Sequence, residues 1–268
     1  MPKNTIMMVT GGTGGHIFPC VAIADELKAM SKSIKLVVDP RSQTWQHSFT
    51  HHQFKVLPLM APSAGKLLYY GGLLLSLLQA ALMLRNNKPA LVIGFGGYMT
   101  LPILIMAKCY NIPIVLFESN SVLGKVNAKY APIAKAIFST SNLTDKLGKK
   151  LQQQYEYKFH ITGPVVRSSV AKEVTYFKLP AKDEKLQILV TGGSQGASIF
   201  ANILPKALAK LDSEYLSKIK IIQQVRTEQQ RQIKQQYQKL GVEHNISSFF
   251  KNIGQIMAKS HLMISRSG

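Results

Sequence analysis

The sequence predicts an α/β fold of two parallel-sheet units, and three observations carry that expectation. Short apolar runs of strand length alternate with longer segments of helical spacing. Two of the runs, 6–10 and 186–190, end in glycine loops, Gly11-Gly12-Thr13-Gly14-Gly15 and Gly192-Gly193-Ser194-Gln195-Gly196. The pattern restarts at the second loop, after an irregular stretch (151–179) that carries Gly163-Pro164 as a hinge. Strand, loop and helix repeated in this order give a parallel sheet with helices on both faces. The expected domains are 1–163 and 164–268, each a Rossmann-like unit opening with a glycine loop.

In the first unit, residues 6–10 form a strand and 19–30 a helix, with Val21, Ala24 and Leu27 at helical spacing. Pro19 suits the first turn, where its missing N–H would be unpaired anyway. Further strands are expected at 34–38, 91–93 and 114–117; the last two lead into Gly94-Phe95-Gly96-Gly97-Tyr98 and Glu118-Ser119-Asn120. In the second unit, strands are expected at 186–190, 219–225 and 262–265, and helices at 198–211 and 228–240.

Residues 67–84 contain no charge and are bracketed by Lys66 and Arg85, the lower edge of membrane-span length. Gly71-Gly72 interrupts the run, and Gly72, Ser76 and Gln79 make a narrow polar stripe at helical spacing. The segment reads as a buried or interfacial helix, not a span.

The chain of 268 residues is 46% hydrophobic and 17% charged, a globular composition. Its 33 Lys and Arg against 13 Asp and Glu give a net charge of +20, which favours anionic partners such as lipid headgroups or diphosphates. The basic residues are scattered without an aromatic-interleaved motif, so nucleic acid is not an expected partner. Cys20 and Cys109 lack CxxC spacing and read as buried, reduced thiols in a cytosolic compartment. The N-terminus lacks the apolar core of a signal peptide, and no export is expected.

Glycines between a strand end and a helix start let backbone N–H groups approach an anion, and the helix dipole adds to the attraction. Both loops therefore read as anion or pyrophosphate cradles, against the alternative of tight turns without a ligand. The first loop departs from the dinucleotide fingerprint, with Ile17 at its third position. His16 follows it, and a helix N-terminus disfavours imidazolium there. A neutral base for a hydroxyl proton is one role; capping the helix or binding substrate is the other. His51-His52 is adjacent instead of at i,i+4 spacing, and no Asp-x-Asp occurs, so neither a metal nor a cofactor is expected. Leaving-group charge then falls to loop amides, a helix dipole and basic side chains.

Taken together, residues 11–16 with Phe18-Pro19, residues 94–98, Glu118-Ser119-Asn120, Gly163 to Arg167, and residues 192–197 resemble the ordered motifs of the MurG family. Ser265-Arg266-Ser267-Gly268 resembles the start of that family's donor-binding segment. The resemblance implies a fold of the GT-B type, with acceptor on the first domain and UDP-N-acetylglucosamine mainly on the second. It implies metal-independent, inverting transfer of N-acetylglucosamine to the C4 hydroxyl of lipid I, giving lipid II at the cytoplasmic face of the inner membrane. Carried onto this chain, Thr13, Gly14, Gly15, Asn120, Arg167, Ser194 and Phe250 take donor-binding positions, and His16 that of the base. Gly12, Gly96, Gly97, Tyr98 and Glu118 face the acceptor. Residues 67–84, with Lys66 and Arg85, lie where the family meets an anionic membrane surface. Phe117 stands where the family usually has His, and Ser119 where it has Gln.

Two other readings remain at this stage. The sequence ends at Gly268 inside the family's donor segment, which predicts an incomplete second domain with an exposed sheet edge, poor stability and weak donor binding; a non-catalytic remnant that binds membrane or acceptor is the alternative. A nicotinamide-dependent oxidoreductase is the third reading, with Asp39 at the end of the second strand as the ribose-binding acid.

Overall fold

In a computed structural model, residues 5–40, 42, 52–56, 66–173, 176–193 and 198–266 are described, residues 66–69 by backbone alone. The chain divides into two compact units, Met1–Arg167 and Ser168–Gly268, with the division four residues beyond Gly163.

Unit 1 is a seven-stranded, wholly parallel sheet. Its strands are β1 (Thr5–Val9), β2 (Ser33–Val38), β3 (Gln53–Val56), β4 (Leu91–Gly94), β5 (Ile114–Glu118), β6 (Ala136–Ser139) and β7 (Phe159–Ile161). They lie in the order β3-β2-β1-β4-β5-β6-β7. Helices α1 (Gly14–Ala29), α2 (Lys66–Asn87), α3 (Leu101–Cys109), α4 (Lys125–Tyr130) and α5 (Lys146–Gln154) connect them. The central strands are apolar throughout because helices cover both faces; Met7, Met8, Val92, Leu116 and Ile137 are fully buried.

Helix α1 begins five residues earlier than its apolar spacing suggests. Thr13 is its extended N-cap residue, and the Thr13 carbonyl accepts from His16 N (3.1 Å) and Ile17 N (3.2 Å). Ile17, Cys20, Val21 and Ala24 then form the buried i, i+3, i+4, i+7 stripe. Pro19 therefore lies inside the helix, past its first turn, and His16 belongs to the helix itself.

Helix α2 also departs from expectation. It runs through Gly71-Gly72 without a break, and it turns its polar stripe inward: Ser76 is fully buried beside Ala80, Met83 and Leu84. Leu74, Leu78 and Leu82, four residues apart, are 62%, 57% and 60% exposed, with Tyr70 and Leu75 beside them. Packing of α2 against α3 explains the inversion, since small side chains admit the closest approach and the leucines stay outside. Among the described residues, no helix is long and apolar enough to cross a membrane.

Asp145 is the N-cap of α5. One carboxylate oxygen accepts from Gly148 N at 2.9 Å and the other from Leu123 N at 2.9 Å, joining two loops. Those backbone donors hold its pKa below the usual carboxylate value.

Within 151–179, read from sequence as irregular, α5 runs to Gln154 and β7 follows at Phe159–Ile161. Cys20 is buried, but Cys109, at the last residue of α3, is exposed, which corrects the expectation for that thiol.

Unit 2 begins with α6 (Ser168–Ala171) and holds the parallel sheet β10-β9-β8-β11, made of β8 (Leu186–Thr191), β9 (Ile219–Gln224), β10 (Glu243–Ser247) and β11 (Leu262–Ser265). Helices α7 (Ser198–Leu208), α8 (Ser213–Ser217), α9 (Gln230–Lys239) and α10 (Ile253–Ala258) complete it. Polar α9 is anchored by Ile233 and Tyr237, and the Tyr237 hydroxyl donates to buried Gln223 Oε1. β11 stands at one edge, with Leu262 and Met263 exposed.

Candidate functional site

Strands β1, β4 and β5 are adjacent and parallel, so the loops after them meet at one edge of the sheet. The strand order reverses between β1 and β4, and open α/β sheets bind ligands at such a switch point. The three loops carry Gly11 to His16, Phe95 to Tyr98 and Ser119 to Gly124.

After β1, Gly12 has φ +84°, a left-handed conformation that favours glycine. The Thr13 side chain makes no cap hydrogen bond, and Gly14 and Gly15 are the first two residues of α1, their amides at its positive end. After β4, Gly96 and Gly97 are both left-handed, at +79° and +76°. A Cβ on Gly96 would lie 3.3 Å from Asn127 Nδ2 and 3.7 Å from His16 Nε2. Glycine there keeps a gap open between an imidazole and an amide. Tyr98, half-buried, starts the short turn that leads into α3.

After β5, Glu118 is buried and organises its own loop. Oε1 accepts from Asn120 N (3.1 Å) and Asn120 Nδ2 (3.0 Å), and Oε2 from Gly124 N (3.0 Å) and Asn127 Nδ2 (2.9 Å). Four donors satisfy this carboxylate as a charged acceptor. Asn127, fully buried on α4, also donates to the Phe117 carbonyl at 3.1 Å, and its own Oδ1 has no partner among the described residues. Sequence reasoning missed Asn127. Its only signal was one amide in the otherwise apolar and basic run of α4.

His16 is half-buried beside this carboxylate. Burial lowers its pKa below the usual histidine value, and Glu118 opposes that shift without reversing it. The imidazole is therefore neutral near pH 7, able to accept a proton at one nitrogen. Phe117, at the position where histidine was usual, is buried with its ring 5.3 Å from that of Phe95, an aromatic wall in place of a polar contact.

Arg167, six residues beyond β7, lies over the Phe18 ring of α1 with 4.3 Å between guanidinium carbon and ring centroid. This contact brings the end of unit 1 beside the first helix, an association that no local sequence pattern contains. Asp39 is fully buried and accepts from Ser42 N (2.9 Å) and Ser42 Oγ (2.6 Å). It is an internal cap rather than a ribose ligand, which removes the feature that favoured an oxidoreductase. Among the described residues, no group of three or more His, Cys, Asp or Glu side chains is placed to hold a metal ion.

In unit 2, the sheet edge after β8 is tied together by Thr191 Oγ1 donating to Gln224 Oε1 at 2.7 Å and Gln224 Nε2 donating to the Ser248 carbonyl at 3.0 Å. Gly193 follows at φ +77°. Ser194 and the rest of that loop through Ala197 lie outside the described residues, as do Ser267 and Gly268. Phe250 is buried against Leu189, Ile222 and Ile256, so its ring belongs to the core.

Two parallel α/β units, each with a glycine loop after its first strand, place the chain in the class of two-domain, GT-B-like α/β proteins. The glycosyltransferase family 28 N-terminal domain pattern matches residues 6–139, and the C-terminal domain pattern matches residues 187–268. The UDP-N-acetylglucosamine–N-acetylmuramyl-(pentapeptide) pyrophosphoryl-undecaprenol N-acetylglucosamine transferase of Brucella abortus (strain S19) is 37% identical over 272 residues, covering 99% of this chain and 70% of that protein. Its counterpart in Allorhizobium ampelinum is 35% identical, over 100% of this chain and 71% of the relative. The chain belongs to this transferase family, the MurG family. In fold it is similar to Acinetobacter baumannii MurG (TM-score 0.67, 22% identity, 99% of this chain and 74% of that one). It is also similar to a Neisseria meningitidis UDP-GlcNAc 2-epimerase crystallised with UDP-GlcNAc (TM-score 0.65, 15% identity, 98% of this chain and 78% of that one).

Proposed function

We propose that this chain transfers N-acetylglucosamine from UDP-N-acetylglucosamine to the C4 hydroxyl of the muramoyl group of lipid I, forming lipid II. The observation that carries the site assignment is His16, kept neutral by burial at the switch point of the sheet and facing the gap left by Gly96. His16 takes the proton of the acceptor hydroxyl as its oxygen bonds to the anomeric carbon. The bond from that carbon to the UDP oxygen breaks, and UDP leaves with the electron pair, so configuration inverts. Gly14 and Gly15 amides and the Arg167 guanidinium offset charge on the diphosphate, while Gly12, Gly96, Gly97 and Tyr98 face the acceptor pyrophosphate. Thr13, Asn120 and Ser194 complete the donor contacts, Phe250 offers only its backbone because its ring is buried in the core, and Glu118 holds the loop that carries Asn120.

The enzyme works at the cytoplasmic face of the inner membrane as a peripheral protein. The outward leucines of α2 supply apolar contact, and the net charge of +20 supplies attraction to an anionic leaflet. The remnant reading is not favoured, because similarity to the transferases runs over 99% of this chain. Turnover of a lipid I analogue with radiolabelled donor tests the assignment. Product that is lost on His16→Ala supports it, and undiminished product in that variant removes His16 as the base.

A further inference from the structure

A cavity of about 930 Å³ lies between α2 and the outer strands β2 and β3, apart from the loops that carry His16 and Glu118. Its floor follows from strand register. Lys35 pairs with Gln53 and Val37 with Lys55. Alternation puts these four side chains on one face. Val37 belongs to the same buried cluster as Ala80 and Met83 of α2, and Lys35, Gln53 and Lys55 line one cavity with Met83, so that face is the one turned toward the helix. Lys35, Gln53 and Lys55 thus form a polar, cationic floor where a helix-covered sheet ordinarily carries apolar residues.

The roof is the last two turns of α2. Gln79, Leu82, Asn86 and Asn87 line the cavity from that side. Lys35 Nζ donates to Asn87 Oδ1, and Asn87 Nδ2 donates to the Met83 carbonyl at 2.6 Å. An ammonium has three donors, so Lys35 retains hydrogens for an anion. Lys55 is exposed and forms no hydrogen bond or ion pair among the described residues. No acidic side chain lines the cavity among the described residues. Two lysines and several amides without a carboxylate make a floor complementary to an anion.

Leu82 gives the site its second character. It lines the cavity and also continues the exposed row Leu74, Leu78 and Leu82. A ligand seated on Lys35 and Lys55 would leave across a strip of leucine side chains. That combination suits an anionic head on an apolar tail, and 930 Å³ exceeds what a lone inorganic ion requires. We propose that this cavity binds the phosphate headgroup of one anionic phospholipid, whose acyl chains lie along the outer face of α2. The proposal rests on the peripheral-membrane reading above and adds to it a discrete, saturable lipid site distant from the transfer chemistry.

The test uses the full chain and two probes. One is vesicles of phosphatidylcholine with or without phosphatidylglycerol, and the other is dihexanoyl phosphatidylglycerol below its micelle concentration, followed by amide chemical shifts. The Lys35→Gln/Lys55→Gln variant is expected to lose about tenfold or more in affinity for phosphatidylglycerol vesicles. Lys234→Gln/Lys239→Gln, which removes the same charge from exposed α9, should bind nearly as the unmodified chain does. The short-chain lipid should saturate shifts in β2, β3 and the end of α2, and inorganic phosphate should not. Lys55→Gln alone removes an exposed side chain, leaves the packing intact, and should lose part of the affinity; Lys35→Arg/Lys55→Arg should retain it. Equal losses from the two lysine pairs would mean diffuse attraction and overturn the site. Equal shifts with inorganic phosphate would overturn the lipid assignment. Vesicle binding that ignores Lys35 and Lys55 sinks the site and leaves membrane association standing. Saturation by the short-chain lipid without vesicle binding does the reverse.

Discussion

The Asn127 side-chain amide donates to Glu118 Oε2 at 2.9 Å and to the Phe117 carbonyl at 3.1 Å, from a position with no exposure to solvent. It therefore ties α4 to the end of β5 and fixes the carboxylate that in turn holds Asn120. Asn127→Ala leaves the Phe117 carbonyl without this donor and removes one of four donors from Glu118. A loss of about 1–3 kcal/mol in unfolding free energy is expected, read from urea titration. Asn127→Asp should be worse than Ala, because it sets a second carboxylate against the first. The ordering Asp below Ala below Asn is the check, and an Asp variant as stable as Asn would refute the arrangement.

The His16 pKa is lowered by burial, with Glu118 in opposition. The base must be neutral to act, so the acid limb of kcat/KM should have its midpoint below the usual histidine value of about 6.5. Glu118→Gln removes the opposing charge and should move that limb lower still, besides weakening the loop. The stability consequence has a definite sign. On acidification the unfolded chain binds the imidazole proton first, so stability is full above about pH 6.5 and falls as the pH drops toward the native value. In His16→Ala this segment of the stability–pH curve should flatten.

Gly96 and Gly97 share left-handed backbones but differ in surroundings. Alanine at either meets strain of about 1–2 kcal/mol. Only at Gly96 does the added carbon fall 3.3 Å from Asn127 and 3.7 Å from His16; at Gly97 nothing lies within 4 Å. Gly96→Ala should melt below Gly97→Ala, because Asn127 must give way, and should lose far more turnover. Equal activity losses would mean that the gap beside His16 is not used.

The Arg167 guanidinium stacks on Phe18 at 4.3 Å. Phe18→Leu should cost about 0.5–2 kcal/mol and raise the donor KM more than it lowers kcat. Phe18→Tyr keeps the ring face and should behave as the unmodified chain. Arg167→Lys removes the planar group that stacks and should resemble Phe18→Leu.

Central strands were legible in the sequence, and of the four edge strands only β11 was. β1, β5, β8 and β9 read as apolar runs because helices or neighbouring strands dictate their composition over several residues. β3, β7 and β10 stand at sheet edges, and β6 is only four residues long. Their half-exposed or short patterns, such as Gln53-Phe54-Lys55-Val56 and Glu243-His244-Asn245-Ile246-Ser247, carry too little alternation to separate from a loop. The start of α1 was misplaced because its first turn is made of glycines, whose role is set by backbone geometry rather than by apolar spacing.

By itself the sequence determined the two-unit parallel architecture, the glycine loops at strand ends and the family, since these depend on local runs and on motif order along the chain. Only the tertiary structure decided that Asn127 secures Glu118, that Arg167 rests on Phe18, that Asp39 is an internal cap and that α2 turns its leucines outward. Each of those joins residues that are distant in sequence or chooses between two faces of one helix. Packing against the rest of the fold makes that choice, and helical periodicity alone cannot.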